Sequence, residues 1–469
     1  MARRKADPRA NTPVRRTAPL PTRDERRAAG KAHREKHPRA DHGGWAPAAR
    51  RRDPVALVIE SSKGRLPELV PIRYGRMLAS PFTFYRGTAN IMAADLATTP
   101  TSGVTVQACG DCHLLNFGVF ATPERGTIFD INDFDETMPG PWEWDVKRLA
   151  ASMVLAARSN GFSAADQRDA AEASVRSYRE HMAEYAEMRA MEVWYSRIDS
   201  EALAASFTDK AGVSRFRKRL AKATTRSAAL DDFPKMAESQ GGRHVIRDNP
   251  PLIYHHQMLG ASEMRSNIEG AFADYRKTLP DDRRVILDRY QVADFALKVV
   301  GVGSVGTLCA VFLLMAADDD PLFLQVKEAR RSVLAPFVAR GRYANDGQRI
   351  VEGQRLMQAA SDIFLGWTRG TSGRDFYLRQ LRDVKLKPMV EIFSRSTMAE
   401  YGAVCGWTVA RAHARSGDPA TIAGYLGSKE VFDKAVAKFA AAYADQAERD
   451  HAMLAAAVRK GRIEVILER

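Results

Sequence analysis

The chain has 469 residues, 45% of them hydrophobic, and four cysteines: enough apolar content for a large core, too few thiols for a disulfide framework. No window approaches the roughly 18 uninterrupted apolar residues of a membrane span, and the start of the chain, despite Arg3-Arg4, lacks the apolar stretch of a secretory signal, so a cytoplasmic protein is expected. The formal charge of +14 does not mark a nucleic-acid-binding body, because residues 1–52 carry 16 Lys and Arg against 5 Asp and Glu and leave the remainder nearly neutral.

That leader is rich in Arg, Pro and Ala and has no hydrophobic periodicity. Residues 1–52 are therefore expected to be a disordered basic arm, mainly solvated, with polyanion contact as its functional reading. Short helices are predicted around Pro71–Ser80 and Thr88–Ala97, then a strand, Val104–Ala108, that runs into Cys109-Gly-Asp-Cys-His. A second strand, Thr127–Asn132, follows the Pro123–Gly126 turn. Pro139-Gly-Pro141 stops the chain and opens a helix in which Trp142, Val146, Leu149 and Met153 repeat at helical spacing.

Residues 161–290 read as mainly helical, with a loop at Gly241–Pro251. Phe295–Val300, Leu308–Met315 and Leu322–Lys327 then read as three strands of a small antiparallel sheet. A helix at about Asn345–Phe364, a hairpin-like pair at Leu365–Thr368 and Phe376–Leu381, and helices Met398–Arg415 and Val431–Arg459 complete the chain.

Asp111-Cys-His113-Leu-Leu-Asn116 puts an acid five residues before an amide just after a strand, and the acids Asp130, Asp133, Asp135 and Glu136 follow on the next strand. Phosphoryl transfer needs such a set: one carboxylate to orient or deprotonate the acceptor, and an amide oxygen and a second carboxylate to hold magnesium on the phosphates. Asp111, Asn116 and Asp133 fit those roles. Cys109-Gly-Asp-Cys112-His113 also matches a c-type haem attachment pattern or half a zinc site, but the first needs an exported chain and the second a ligand pair found nowhere at suggestive spacing. The acids lack the glycine and terminal glutamate of a calcium loop.

Gly301-Val-Gly303-Ser304-Val-Gly306 is a GxGxxG. A dinucleotide site needs a helix after those glycines, whereas Thr307 here leads into an apolar strand, the arrangement of a kinase flap over ATP phosphates. Strand alternation sets Lys327 with Phe323 and Gln325 on one face, where it meets phosphates or, in the plainer reading, solvent. As a phosphate-binding lysine it would pair with a helix glutamate, Glu352 or, in second place, Glu328.

The first loop resembles that of aminoglycoside phosphotransferases and choline-type kinases, His-Gly-Asp-x-His-x-x-Asn followed by Ile-Asp-Phe, with Gly110, Asp111, His113 and Asn116 matching and Cys109 replacing the first His. The resemblance implies a catalytic role for Asp111, His113 and Asn116 and metal binding by Asn116, Asp133 and Asp135. Those kinases carry a Gly and an Asp seven and twelve residues after the metal aspartate, offsets met by Gly140 and Asp145 from Asp133, and the resemblance makes Asp145 a brace for the loop's amides. Arg86-Gly87, Cys109–Phe120, Asn132–Thr137, Pro139–Ala151 and Gln325–Ala329 together resemble a bacterial family catalogued as domain of unknown function 2252, grouped with the kinase-like fold, over nearly all the chain after about Arg52.

A kinase runs glycine loop, lysine, helix, hairpin, long helix, catalytic loop, metal loop; this chain runs the same cycle cut before the catalytic loop. The expected fold is a two-lobed, protein-kinase-like α+β fold, circularly permuted: a disordered arm at 1–52, a helical lobe at 53–290 completed by 391–469, and a small β-rich nucleotide lobe at 291–390. The expected function is ATP- and magnesium-dependent phosphoryl transfer to a hydroxyl or amine, on a small molecule rather than a protein. ATP would be held by Gly301, Gly303, Ser304, Gly306, Lys327 and Glu352. AMP transfer and a non-catalytic nucleotide-binding scaffold are the alternatives.

Overall fold

Apolar residues at helical spacing build the larger part of the molecule: helices Trp142–Ser159, Ala164–Glu187, Arg395–Ser416 and Val431–Arg459 enclose one core that includes Trp142, Leu149, Tyr178, Val409 and Phe439. The computed structural model describes residues 20–225, 233–255, 261–299, 301–316, 320–381 and 384–467. The fold is mixed α+β. Among the described residues no helix is long and apolar enough to cross a membrane.

The second part is an antiparallel six-stranded sheet, in spatial order Gly366–Arg369, Asp375–Gln380, Pro321–Ala329, Cys309–Met315, Gln291–Lys298 and Ile253–Tyr254. The three strands read from the sequence are its centre, and the hairpin is its edge; Val300 lies outside the described residues. Leu322, Leu324 and Val326 on one face of the central strand pack with Tyr275, Leu279 and Phe364, while Phe323 on the other packs with Met236, Ile246 and Leu313. The lobe boundary expected at residue 290 therefore moves to about Met236, because residues on both sides of 290 share these two cores. At the other end Lys385–Leu386 leaves this sheet and pairs with Phe117–Ala121 and Thr127–Ile131 in the helical part.

Two local differences bear on the site. Met138–Pro141 forms a short strand against Thr105–Ala108 before the helix opens at Trp142, since prolines are tolerated in an edge pair that does not need their missing N–H. The helix expected to reach Phe364 ends at Met357, where buried Asp130 accepts the Ala359 amide at 2.9 Å and the Gln358 side chain donates to the Ile131 carbonyl at 2.6 Å.

The disordered arm is a correction for residues 20–52; residues 1–19 lie outside the described residues. Arg23–Lys36 is a helix opened by a reciprocal Thr22–Glu25 cap, which its Arg/Ala-rich composition conceals. It crosses helix Pro419–Leu426 where Gly30 and Gly424 let the backbones touch; a Cβ on either would strike the opposing chain. Arg51 then lies between two buried carboxylates, donating to Asp95 at 2.8 Å and to Asp450 at 2.6 Å.

Candidate active site

The strand Thr105–Ala108 ends in a turn at Gly110, whose φ of +83° and contact with the Glu136 backbone admit no side chain. Asp145, in the first turn of helix Trp142–Ser159, accepts the amides of Cys109 at 2.6 Å and Gly110 at 2.9 Å, the bracing the resemblance implied. His413 Nε2 donates to Asp145 at 3.1 Å, and the Tyr178 hydroxyl in turn donates to His413 Nδ1 at 3.0 Å. The Cys109 thiol donates to the Asp133 carbonyl at 3.4 Å and so ties this loop to the acidic one.

Asp111 faces the cavity but is not unpartnered: Arg148 Nε donates to its Oδ1 at 2.7 Å and Nη2 reaches the same oxygen. Among the described residues its Oδ2 has His113 Nε2 at 3.9 Å and accepts no hydrogen bond. Desolvation raises the Asp111 carboxyl above its ordinary range, with the Arg148 guanidinium opposing. Burial, then Arg86 and Arg148, hold the His113 imidazole well below its ordinary value and therefore neutral. Asn116 Nδ2 donates to the Asp111 carbonyl at 2.7 Å, which leaves its Oδ1 as the atom able to ligate a cation.

Lys327 reaches this floor from the sheet. Its Nζ donates to Asp135 Oδ2 at 2.7 Å and lies 3.7 Å from Asp133 Oδ1. Desolvation opposes ionisation of Asp135, but Lys327 and the Tyr377 hydroxyl, 2.5 Å from Oδ1, overcome it and hold the carboxyl below its ordinary range. Asp133 is the reverse: desolvation and the Asp135 charge raise it, and its Oδ1 is buried with no hydrogen-bond donor. Asp130 is fully buried against Arg411, away from these groups, at 2.6 and 2.8 Å.

Gly301, Gly303 and Ser304 line the same cavity, and Ser304 Oγ donates to Asp135 at 3.2 Å. Gly306, with φ of +82°, turns the loop away toward Arg65 and Leu66. Unlike a free flap, the loop is clamped: Arg65 donates to the Val305 carbonyl at 2.6 Å and the Gly303 carbonyl at 2.9 Å, and Val302 and Val305 are buried among the helices of residues 54–96.

Glu352 is not brought in. It contacts Arg355 at 3.3 Å, and Gln354 and Gln358 are the residues of that segment that face the cavity. Glu328 accepts the Leu308 amide at 2.9 Å instead. Lys327 takes its counter-charge from Asp135, and Asp135 is thereby engaged on both oxygens rather than open to a metal.

Sequence reasoning missed Arg148, Tyr377, Arg349 and Arg379. Arg148 lies three residues after Asp145 on one helix, a spacing that sets both on the loop side. Tyr377 and Arg379 sit opposite Lys327 and Gln325 in the strand register, and Arg379 donates to Gln325 at 3.2 Å and to the Asn132 carbonyl at 3.2 Å. Arg349 threads between the acidic loop's carbonyls, donating to Thr137 at 2.6 Å and Asp135 at 3.0 Å.

These groups line a cavity of about 930 Å³ between the sheet and the helical part, with nine Lys and Arg against six Asp and Glu among the described residues. That surplus of positive charge suits a polyanionic ligand. Among the described residues no three His, Cys, Asp or Glu side chains gather into a metal site of their own. One unsatisfied carboxylate and one amide oxygen instead fit a cation that arrives with other ligands, as magnesium does with phosphates and water.

A family model described as "Uncharacterized protein conserved in bacteria (DUF2252)" matches residues 65–457. The chain belongs to this family. The DUF2252 match contains both halves of the site, from Arg86 and Asp111 through Asp133 to Lys327 and Arg379. No curated protein and no solved structure matches the chain.

Proposed function

We propose that this DUF2252 protein is an ATP- and magnesium-dependent phosphotransferase with a circularly permuted, protein-kinase-like fold, acting on a small hydroxyl- or amine-bearing molecule. The observation that carries the reading is the meeting of two motif sets in one cavity: the Lys327 ammonium lies 3.7 Å from Asp133 Oδ1, with the glycine loop on the same wall and Asp111 and Asn116 on the floor. Leu381, whose amide donates to the Phe323 carbonyl at 2.9 Å at the end of the sheet, has the place of a kinase hinge residue. A cytoplasmic setting, where ATP is supplied and thiols stay reduced, goes with four buried free cysteines.

Bound ATP would supply the phosphoryl group, and magnesium would screen the charge on its oxygens. Lys327 neutralises phosphate charge, and Asp135, Tyr377 and the strand register hold its ammonium in place beforehand. Asp133 and the Asn116 amide oxygen would hold the metal. Asp111 orients the acceptor hydroxyl and takes its proton on Oδ2, while Arg148 fixes the carboxylate through Oδ1. Asp145, His413 and Tyr178 keep the loop backbone in register with that task.

The engagement of Asp111 by Arg148, with Cys109 in place of the motif's first His and Gln325 before Lys327, favours a non-catalytic nucleotide-binding scaffold. Incubation of the purified protein with ATP, magnesium and a cell extract, with products resolved by mass spectrometry, separates the readings. A product heavier by one phosphoryl group supports the proposal, a product carrying AMP replaces it with nucleotidyl transfer, and nucleotide binding without any product leaves the scaffold.

A further inference from the structure

Cationic acceptors, such as choline and aminoglycosides, need acidic groups around the reacting hydroxyl. On the His113 side of Asp111 the wall carries the cations Arg86 and Lys387 beside the acid Glu391. Arg86 and Lys387 both line the cavity there, and neither makes an ion pair with a described residue. Arg86 Nε is buried with no hydrogen-bond partner. Its charge is opposed by Asp111 and Glu391, but Asp111 is already engaged by Arg148. Lys385 adds an amine on the strand that leads to Lys387.

These cations disturb one another. Desolvation lowers Arg86, and desolvation followed by the mutual repulsion of Arg86, Arg379 and Lys327 lowers Lys387 despite the attraction of Asp133. Lys385, although open to the cavity, is pushed down to about 7 by desolvation against the wall and by Arg379 and Lys387. A guanidinium and an ammonium that line a cavity without ion-pair partners among the described residues, each raising the cost of the other's charge, attract an anion. A nucleotide held at Lys327 and Asp133 would leave this end of the cavity for the second substrate.

We propose that the acceptor is itself an anion, a small hydroxyl compound whose carboxylate or phosphate is held by Arg86 and Lys387 while its hydroxyl meets Asp111 Oδ2. Calling this the acceptor end rests on the phosphotransferase reading; the anion site itself does not. His113, kept neutral between these groups, adds no competing charge and offers Nε2 as a hydrogen-bond partner.

The test is calorimetric titration of the full chain, saturated with a non-hydrolysable ATP analogue and magnesium, with ribose 5-phosphate, gluconate, ribose, choline and kanamycin as probes. At least one of the two acids should bind about tenfold more tightly than ribose and either cation, and Lys387→Gln or Arg86→Gln should weaken that acid about tenfold while the analogue still binds. Lys387 is exposed, so Lys387→Gln retains the fold even where Arg86→Gln does not. The acid preferred tells phosphate from carboxylate. Equal or tighter binding of ribose, choline or kanamycin, no binding of either acid, or acid binding indifferent to both substitutions overturns the proposal. If the analogue itself fails to bind, the phosphotransferase reading falls, and the acid titrations still decide the anion site.

Discussion

The Lys327 ammonium donates to the Asp135 carboxylate at 2.7 Å across 192 positions of chain. The pair is closed off by Tyr377 on the strand opposite Lys327 and by Ser304 from the glycine loop, so four distant segments meet on one carboxylate. Lys327→Met removes the only one of these four that carries positive charge. It should weaken nucleotide binding at least about tenfold, measured by titration. It also leaves Asp133 and Asp135 with Arg379 but without their closest cation, so their folded-state pKa values rise and stability is lost as pH rises. The melting temperature of the variant should fall between pH 5 and pH 8 more steeply than that of the wild type.

Asp111 has one oxygen engaged by Arg148 and one left for an acceptor. Asp111→Asn keeps a carbonyl for the guanidinium and removes the base. Turnover should drop about a hundredfold or more with nucleotide affinity nearly unchanged, and the melting temperature should fall because buried Arg148 loses its counter-charge. Undiminished turnover would show that another group takes the proton.

Asp133 and Asp130 are close in sequence and opposite in surroundings. Asp133→Ala should abolish the magnesium-dependent thermal shift produced by ATP while the fold persists, because its Oδ1 supports no hydrogen bond. Asp130→Ala instead leaves Arg411 buried without its carboxylate and should cost about 3–5 kcal/mol in denaturant unfolding, with the ATP shift retained in the folded fraction. The reverse ranking would place the metal on the other side of the strand.

Deleting residues 1–52 should lower the melting temperature markedly and expose apolar surface to a dye. The deletion strips the Gly30–Gly424 helix crossing and the Arg51 bridge, leaving Asp95 and Asp450 buried as unpaired charges. Arg51→Ala alone should reproduce much of the loss, about 3 kcal/mol or more. A deletion variant as stable as the full chain would show the arm to be dispensable to the fold.

His42 is fully buried, donates from Nε2 to the Tyr425 hydroxyl at 2.7 Å, and has its imidazole pushed down to about 3 by desolvation and by Lys147. The unfolded chain takes up this proton below about pH 6.5 and the folded one does not, so stability from the neutral ring is complete above pH 6.5 and declines as pH falls toward 3. His42→Gln, which can still donate to Tyr425, should show a shallower loss of melting temperature between pH 7 and pH 5. Parallel curves for the two proteins would mean that the ring protonates without cost.

The sequence by itself determined the local pieces: the strand before Cys109, the five-residue step from Asp111 to Asn116, the glycine turn between two strands, and the face on which Lys327 stands. Each depends on a spacing of a few residues, where backbone geometry leaves little choice. Only the tertiary structure decided which charges meet. Asp135 rather than Glu352 answers Lys327, because the helix end of Asp346–Met357 that faces the cavity carries Gln354 and leaves Glu352 beside Arg355. Arg148 claims one oxygen of Asp111 from a helix that sequence spacing tied only to Asp145. The arm folds because Gly30 meets the helix of Gly424 and Arg51 reaches Asp450, contacts roughly 390 to 400 positions apart, a distance at which neither charge nor hydrophobic pattern carries any trace of the contact.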